Sequence, residues 1–342
     1  MAIDLKQLSA RLGLSPTTVS RALNGYTDVS EATRQRVAQV AQELGYQPNL
    51  AARRLALGRA EAVGIVYPVD TDYMGNPLFL EMIAGVSDRL EPAGFDVLLA
   101  AARAQSELRT YERLVRGRIV DGLIVAHTRV EDARIEFLKS TSIPFIGYGR
   151  TGNPTGFAWF DFDNEAGCVM AVRELLALGH RRIAYVHAPL MLNFAHQRHV
   201  GFLKAMGEAG VPVLPEYMVL GSLDRRGGYA AGQQLLALAQ RPTAILVDNN
   251  LGGVGVVRAL LQAGIDIGRE VSVIVNDGIP PDTLLIGQKV ASIAQPTAYE
   301  SGTTMADMLL ALIEGKTLEQ PHVLRQPQFV GGNSIGPAPR AG

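Results

Sequence analysis

Five hydrogen-bonding side chains fall within residues 17–24: Thr17, Thr18, Ser20, Arg21 and Asn24. Hydroxyls, an amide and a guanidinium on one short helix are suited to reading base edges in a DNA major groove, where a guanidinium takes guanine O6 and N7 together. No catalytic constellation competes with that chemistry. The chain has six histidines and a single cysteine, Cys168, and it lacks a P-loop, a nucleophile elbow and an HExxH motif. His196 and His199 have a spacing seen in metal sites, yet no cysteine or carboxylate partner accompanies them, so neither a metal nor a cofactor is expected. The run GGVGVV at 252–257 is faintly like a dinucleotide fingerprint, but it follows two asparagines and sits within a helical pattern. The chain is expected not to be an enzyme.

The elements that would position the first group are legible. Leu5, Leu8 and Leu12 recur at helical spacing, and Gly13 can end that helix in a left-handed cap. Ser15 then caps a second helix with Pro16 at its first position, where a missing N–H costs nothing. Val19 and Leu23 supply its buried face. Two short helices joined by a tight glycine turn describe a helix-turn-helix, whose second helix enters the major groove. Ser30 can cap a third helix, 31–44, stopped by Gly45 and Pro48. Asn49 can cap a short fourth helix carrying Arg53, Arg54 and Leu55. Alone it is too short to be stable in water, so it would order only against DNA and a symmetry mate.

Composition agrees. A length of 342 residues suggests two to three domains, and 47% apolar with 19% charged residues is ordinary for a folded soluble chain. The net charge of −1 hides an asymmetry: residues 1–60 hold eight Lys/Arg and four acids, a charge of +4, which leaves −5 for the remainder. A basic module on an acidic body fits a chain whose N-terminus meets phosphates. One cysteine excludes an internal disulfide and suits a reducing compartment. No signal-like core and no 18-residue apolar span is present, so a cytoplasmic location without membrane contact is expected.

From Ala62 onward, apolar strand-like runs alternate with helical patterns, the signature of parallel α/β architecture. A first set of strands is expected at 63–67, 95–100, 122–126, 145–148 and 158–161, with helices near 77–90, 105–115 and 132–140. A helix over 164–178 leads into a second set, with strands at 183–187, 244–247, 271–275 and 292–294 and helices near 196–209, 224–239, 251–263 and 297–314. The segment GGNSIGPAPRAG at the end is expected to be flexible.

The motif TVSRALNG, the phrase GYQPN-x-AARRL and the following VGIV together resemble the LacI/GalR family of bacterial transcriptional regulators, in that family's order and spacing. The resemblance runs to about residue 331. It implies a helix-turn-helix domain at 1–47, a hinge helix or linker at 48–60, a two-lobed core like that of periplasmic binding proteins at 61–331, and a tail at 332–342. It also implies DNA contacts from Ser15, Pro16, Thr17, Thr18, Ser20, Arg21, Asn24, Asn49, Ala52, Arg53 and Leu55, with the Leu55 pair of a dimer wedged into a minor-groove step.

In the core, GNPLFLE at 75–81 resembles a family segment that places Phe79 against the effector, with Asp70 before it. The segment at 188–202 resembles one that presents an arginine, here Arg198, flanked by Phe194 and His196. LVDNN resembles a strand-end Asn-Asp, with Asn249 facing ligand and Asn250 replacing the aspartate. VSVIVNDG puts Asp277 where effector hydroxyls are accepted, and Gln295 lies near the same rim. Phe160 and Leu223 complete the set. The chain departs from the family at 275, 276 and 278, and at Gly149, where an aspartate commonly precedes the arginine.

One arginine, one or two carboxylates, two or three amides and an aromatic face suit a neutral polyhydroxylated ligand. A bulky anion would want a second cation. The expected function is therefore a DNA-binding repressor of carbohydrate-utilisation genes, acting as a homodimer on a pseudo-palindromic operator and released by a sugar or glycoside. A regulator using a purine or another corepressor is the alternative. A sugar-binding protein without a DNA role would have no use for the first 60 residues.

Overall fold

The computed structural model describes residues 3–46, 58–68, 75–221, 223–280, 283 and 287–339. The chain divides into two compact units, 1–61 and 62–342.

In the first unit, α1 (Leu5–Leu12), α2 (Pro16–Leu23) and α3 (Glu31–Glu43) form as their capping residues dictate. Asp4 and Gln7 make a capping box, with Gln7 N donating to Asp4 Oδ1 at 2.8 Å and Asp4 N to Gln7 Oε1 at 2.9 Å. Gly13 ends α1 at φ +67°, a left-handed conformation that costs glycine little. Ser15 Oγ accepts the Thr18 N–H at 3.1 Å. The three helices enclose Leu8, Leu12, Val19, Ala22, Val29, Val37 and Ala41. Leu23 is only partly buried, and Ala22 takes the inner position beside Val19. The expected fourth helix, with Asn49, Ala52, Arg53 and Leu55, lies outside the described residues, as does Asp70.

The second unit contains two six-stranded sheets. The first sheet is wholly parallel, in the order β11-β5-β4-β3-β1-β2. Its strands are β1 (Ala62–Pro68), β2 (Asp96–Ala102), β3 (Gly122–Val125), β4 (Phe145–Tyr148), β5 (Ala158–Phe162) and the late β11 (His322–Arg325). Its crossover helices are α4 (Pro77–Leu90), α5 (Glu107–Arg116) and α6 (Ala133–Lys139). The second sheet runs β12-β10-β9-β8-β6-β7. It contains β6 (Ile183–His187), β7 (Met218–Leu220), β8 (Ala244–Val247), β9 (Ser272–Asn276), β10 (Ala291–Ala294) and β12 (Gln328–Val330), of which β12 is antiparallel to β10. Its crossover helices are α8 (Asn193–Glu208), α9 (Arg225–Leu236) and α10 (Asn250–Gln262).

The central strands are buried on both faces, so they read as continuous apolar runs rather than alternating ones. Two helices change lobe. The helix α7 (Asn164–Ala177) follows β5 yet packs Cys168, Val172 and Leu175 into the core of the second lobe. The helix α11 (Ala298–Ile313) follows β10 yet packs Met305 and Leu309 beneath the first sheet. With the step from β11 to β12, the chain passes between the lobes three times. These passages bring the carboxyl ends of both sheets to face one cleft.

The glycine run at 252–257 belongs to α10 and packs helix on helix. A Cβ on Gly255 would stand 2.2 Å from Arg225 O, and one on Gly228 would stand 2.1 Å from Gly252 O. The terminal segment is pinned rather than flexible through residue 338. Ser334 is fully buried, its Oγ donating to Val273 O at 2.7 Å and accepting Ala291 N at 2.8 Å, and Ala338 N reaches Leu178 O at 2.8 Å. Among the described residues, no helix is long and apolar enough to cross a membrane.

Candidate functional site

The cleft between the two lobes of the second unit has a volume of about 420 Å³. Arg198 forms its floor. It lies on the first half of α8, four residues after Phe194, so both side chains occupy one helix face. Arg198 is 3% exposed, and its guanidinium carbon stands 5.2 Å from the Phe194 ring centroid. Nε donates to Asn164 Oδ1 at 2.9 Å, Nη1 to the Asp248 carbonyl and to Asp277 Oδ2 at 3.2 Å, and Nη2 to Asp277 Oδ1 at 3.1 Å. Burial alone would lower the pKa of Arg198, but Asp277 and Asp248 more than offset this and hold it fully protonated.

Asp248 is buried beneath this pair, where the Tyr185 hydroxyl donates to it at 2.9 Å and Ala188 N at 3.0 Å. Its burial pushes its pKa up against the opposing pull of Arg198. Asp277, just past the end of β9, is the more open carboxylate and adopts φ +65°. On the opposite lobe Asp161, at the end of β5, accepts Arg150 Nε at 2.8 Å. His127, past the end of β3, is pushed down to about 3 by burial and by Arg134 and Arg129, so it faces the cleft uncharged. The lobes are bridged where Asn250 Nδ2 donates to Asn76 Oδ1 at 3.0 Å, and where Asn193 N donates to Thr128 O at 2.9 Å.

Of the effector residues expected from sequence, Phe79, Phe194, Arg198, Leu223, Asn249, Asp277 and Gln295 all line this cleft. Two do not. Phe160 is 1% exposed and packs in the core of the first lobe, its ring centroid 6.3 Å from Tyr148 and 5.4 Å from Phe162. It sits two residues short of the strand end, and Phe162 reaches the cleft instead. His196 is exposed, because two helical steps rotate it about 200° away from Arg198. The expectation for Asp70 lies outside the described residues. Sequence reasoning missed Asn76, His127, Tyr148, Asp161, Phe162 and Asn164, which share one signal: each stands at or just past a strand end or at a helix start.

In the first unit, Pro16, Thr17 and Arg21 are exposed on α2. Ser15 and Thr18 are joined by a 2.8 Å hydroxyl contact, and Asn24 Nδ2 donates to Ser20 O at 2.9 Å. The helix therefore presents Thr17 and Arg21 most openly, while Ser15, Thr18, Ser20 and Asn24 also serve its ends. The expected contacts Asn49, Ala52, Arg53 and Leu55 lie outside the described residues.

Known proteins bear on this arrangement. Residues 5–49 match the family described as bacterial regulatory proteins of the lacI family, and residues 60–332 match periplasmic binding proteins and the sugar-binding domain of the LacI family. The chain is 39% identical to the HTH-type transcriptional regulator RafR of Escherichia coli, over 97% of this chain and 98% of that one. It is 36% identical to the regulator AglR of Rhizobium meliloti, over 99% of this chain and 96% of that one. A solved complex of the regulator CelR with cellobiose superposes with a TM-score of 0.73 at 27% identity, covering 97% of this chain and 99% of that one.

Proposed function

The chain belongs to the LacI family of bacterial regulatory proteins, and we propose that the effector governing this DNA-binding transcriptional regulator is a neutral sugar or glycoside held between the lobes. The observation that carries this reading is the charge balance of the cleft. Among the described lining residues Arg198 is the only cation, since His127 is uncharged; it is paired with Asp277, Asp161 is paired with Arg150, and Glu81 adds a further carboxylate. An anionic ligand would meet a site whose cations are already paired and whose balance is negative. Sugar hydroxyls can donate to those carboxylates and also exchange hydrogen bonds with the amides of Asn249, Asn250 and Gln295. Phe79, Phe162 and Phe194 supply faces for the apolar side of a sugar ring.

Gly149 stands at the wall of the same site. A Cβ there would stand 2.4 Å from Thr128 Oγ1, and the residue adopts φ +109°, so glycine lets the backbone lie against Thr128 where an aspartate is common in the family. The CelR relative was solved with cellobiose, which is in keeping with a neutral glycoside. The regulator acts in the cytoplasm as a homodimer, with two copies of α2 on a pseudo-palindromic operator. Sugar binding changes the angle between the lobes and releases DNA, which makes the protein a repressor with an inducer.

A thermal-shift screen of mono-, di- and trisaccharides beside sugar phosphates and uronates tests the assignment. A neutral sugar is expected to raise Tm, by mass action on the folded state. A shift produced by anionic sugars alone would overturn the reading.

A further inference from the structure

Arg21 is the one cation on the exposed face of α2, and its side chain is held within the first unit. Nε donates to Asp28 Oδ1 at 3.1 Å, and Nη2 lies 2.5 Å from Asp28 Oδ2. The guanidinium carbon stands 4.9 Å from the ring centroid of Tyr26. Asp28 thus engages the side edge of the guanidinium, made by Nε–H and the Nη2–H parallel to it. The end edge, one N–H from each terminal nitrogen, is the remaining parallel pair that can span guanine O6 and N7. The aspartate leaves that edge for DNA.

The ion pair has little to do with folding. Its side chains are 45% and 52% exposed, and pairs so open to water contribute almost nothing to stability. It carries a cost instead, because a carboxylate beside a DNA-reading helix repels phosphates. Orientation is what the pair supplies. An unrestrained arginine loses rotamer freedom when it docks on a base, whereas one clamped by a carboxylate and resting on a ring is already ordered.

Resting on the reading of α2 as the base-contacting helix, we propose that Asp28 is a positioning residue: it aims the end edge of Arg21 at a guanine and weakens binding to DNA lacking that guanine. Both effects act on specificity and only one on affinity. Loss of Asp28 therefore strengthens binding to unrelated duplexes while blunting preference at a single base pair.

The test uses the full-length protein as wild type and as Arg21→Ala, Asp28→Ala and Asp28→Asn. Each is offered a randomised duplex library, and Kd values are then measured by fluorescence anisotropy on the selected duplex, its single-base-pair variants and a scrambled duplex at one salt concentration. Arg21→Ala is expected to lose roughly 5- to 150-fold discrimination at one guanine. Asp28→Ala is expected to lose about three- to tenfold at that same base pair, and to bind the scrambled duplex more tightly. Asp28→Asn, which keeps the shape without the charge, is expected to fall between wild type and Asp28→Ala. Should Asp28→Ala strengthen every duplex by one common factor and keep the guanine preference, the aspartate is only a repelling charge and the proposal fails. Should Arg21→Ala itself keep the guanine preference, the reading of α2 fails, a separate result. Circular dichroism of each variant guards against loss of fold.

Discussion

Arg198 commits four of its five N–H groups to Asn164, Asp248 and Asp277, so the cleft presents the Arg198–Asp277 pair to ligand rather than a free guanidinium. Asp277, the more exposed partner, is the group with oxygens to spare for a hydroxyl. Asp277→Asn is therefore expected to weaken effector binding by roughly 10- to 150-fold, the worth of a charge-assisted hydrogen bond, with operator affinity kept. Calorimetric titration beside an operator-binding assay checks both halves. Arg198→Ala is expected to behave differently, leaving the buried Asp248 and the half-buried Asp277 without their cation at about 3–5 kcal/mol of stability. Its signature is a lowered Tm, readable without any ligand.

His127 gives a pH prediction. Its folded pKa of about 3 lies below the ordinary histidine value, because of burial and then of Arg134 and Arg129. Between that value and about 6.5 the unfolded chain binds a proton that the folded chain does not, so this residue's contribution to stability falls as pH falls through that window. His127→Asn, which tolerates the φ of +52° at this position, is expected to flatten the decline of Tm from pH 6.5 to 4. A slope equal to the wild type's would show that His127 does not set it.

Elements fix where those residues stand. The glycines of α10 permit the close crossing on α9, and Gly255→Ala is expected to cost about 1–3 kcal/mol by overpacking. Chemical denaturation reads that loss. Removing residues 332–342 strips the partners from Ala291 N and the Val273 carbonyl and is expected to cost about 1–3 kcal/mol for each buried group left unpaired.

Periodicity and capping residues placed the helices and inner strands within a turn or less, because burial on one face or both leaves a pattern. Where no such signal exists, the reading slipped. The helix α8 begins after Leu192, which offers no side-chain cap, so its first turn, with Phe194, carries no start signal in the sequence. The strands β7, β11 and β12 are three or four residues long and mostly not buried, so only their pairing reveals them. Serine and glycine in the tail look like linker composition until Ser334 is seen inside the sheet. Phe160 and Phe162 differ only in distance from a strand end, which a boundary one residue off cannot resolve.

At the scale of the molecule, the two helices that change lobe tie α7 to one core and α11 to the other, so a change of lobe angle must be absorbed at the three passages between them. The Asn250–Asn76 bridge and the Asn193–Thr128 bond span the cleft, and a ligand shifts the lobe equilibrium only by binding one arrangement better than the other. The central claim is that a neutral sugar seated on Arg198–Asp277 controls operator affinity. It is tested by titrating the complex of full-length protein and its selected duplex with neutral oligosaccharides and, in parallel, with sugar phosphates, following DNA release by fluorescence anisotropy. The account predicts release by at least one neutral sugar, none by the phosphates, and no release from the Asp277→Asn complex at the concentration that empties the wild type. Release by phosphates alone, or an unchanged response in Asp277→Asn, would contradict it.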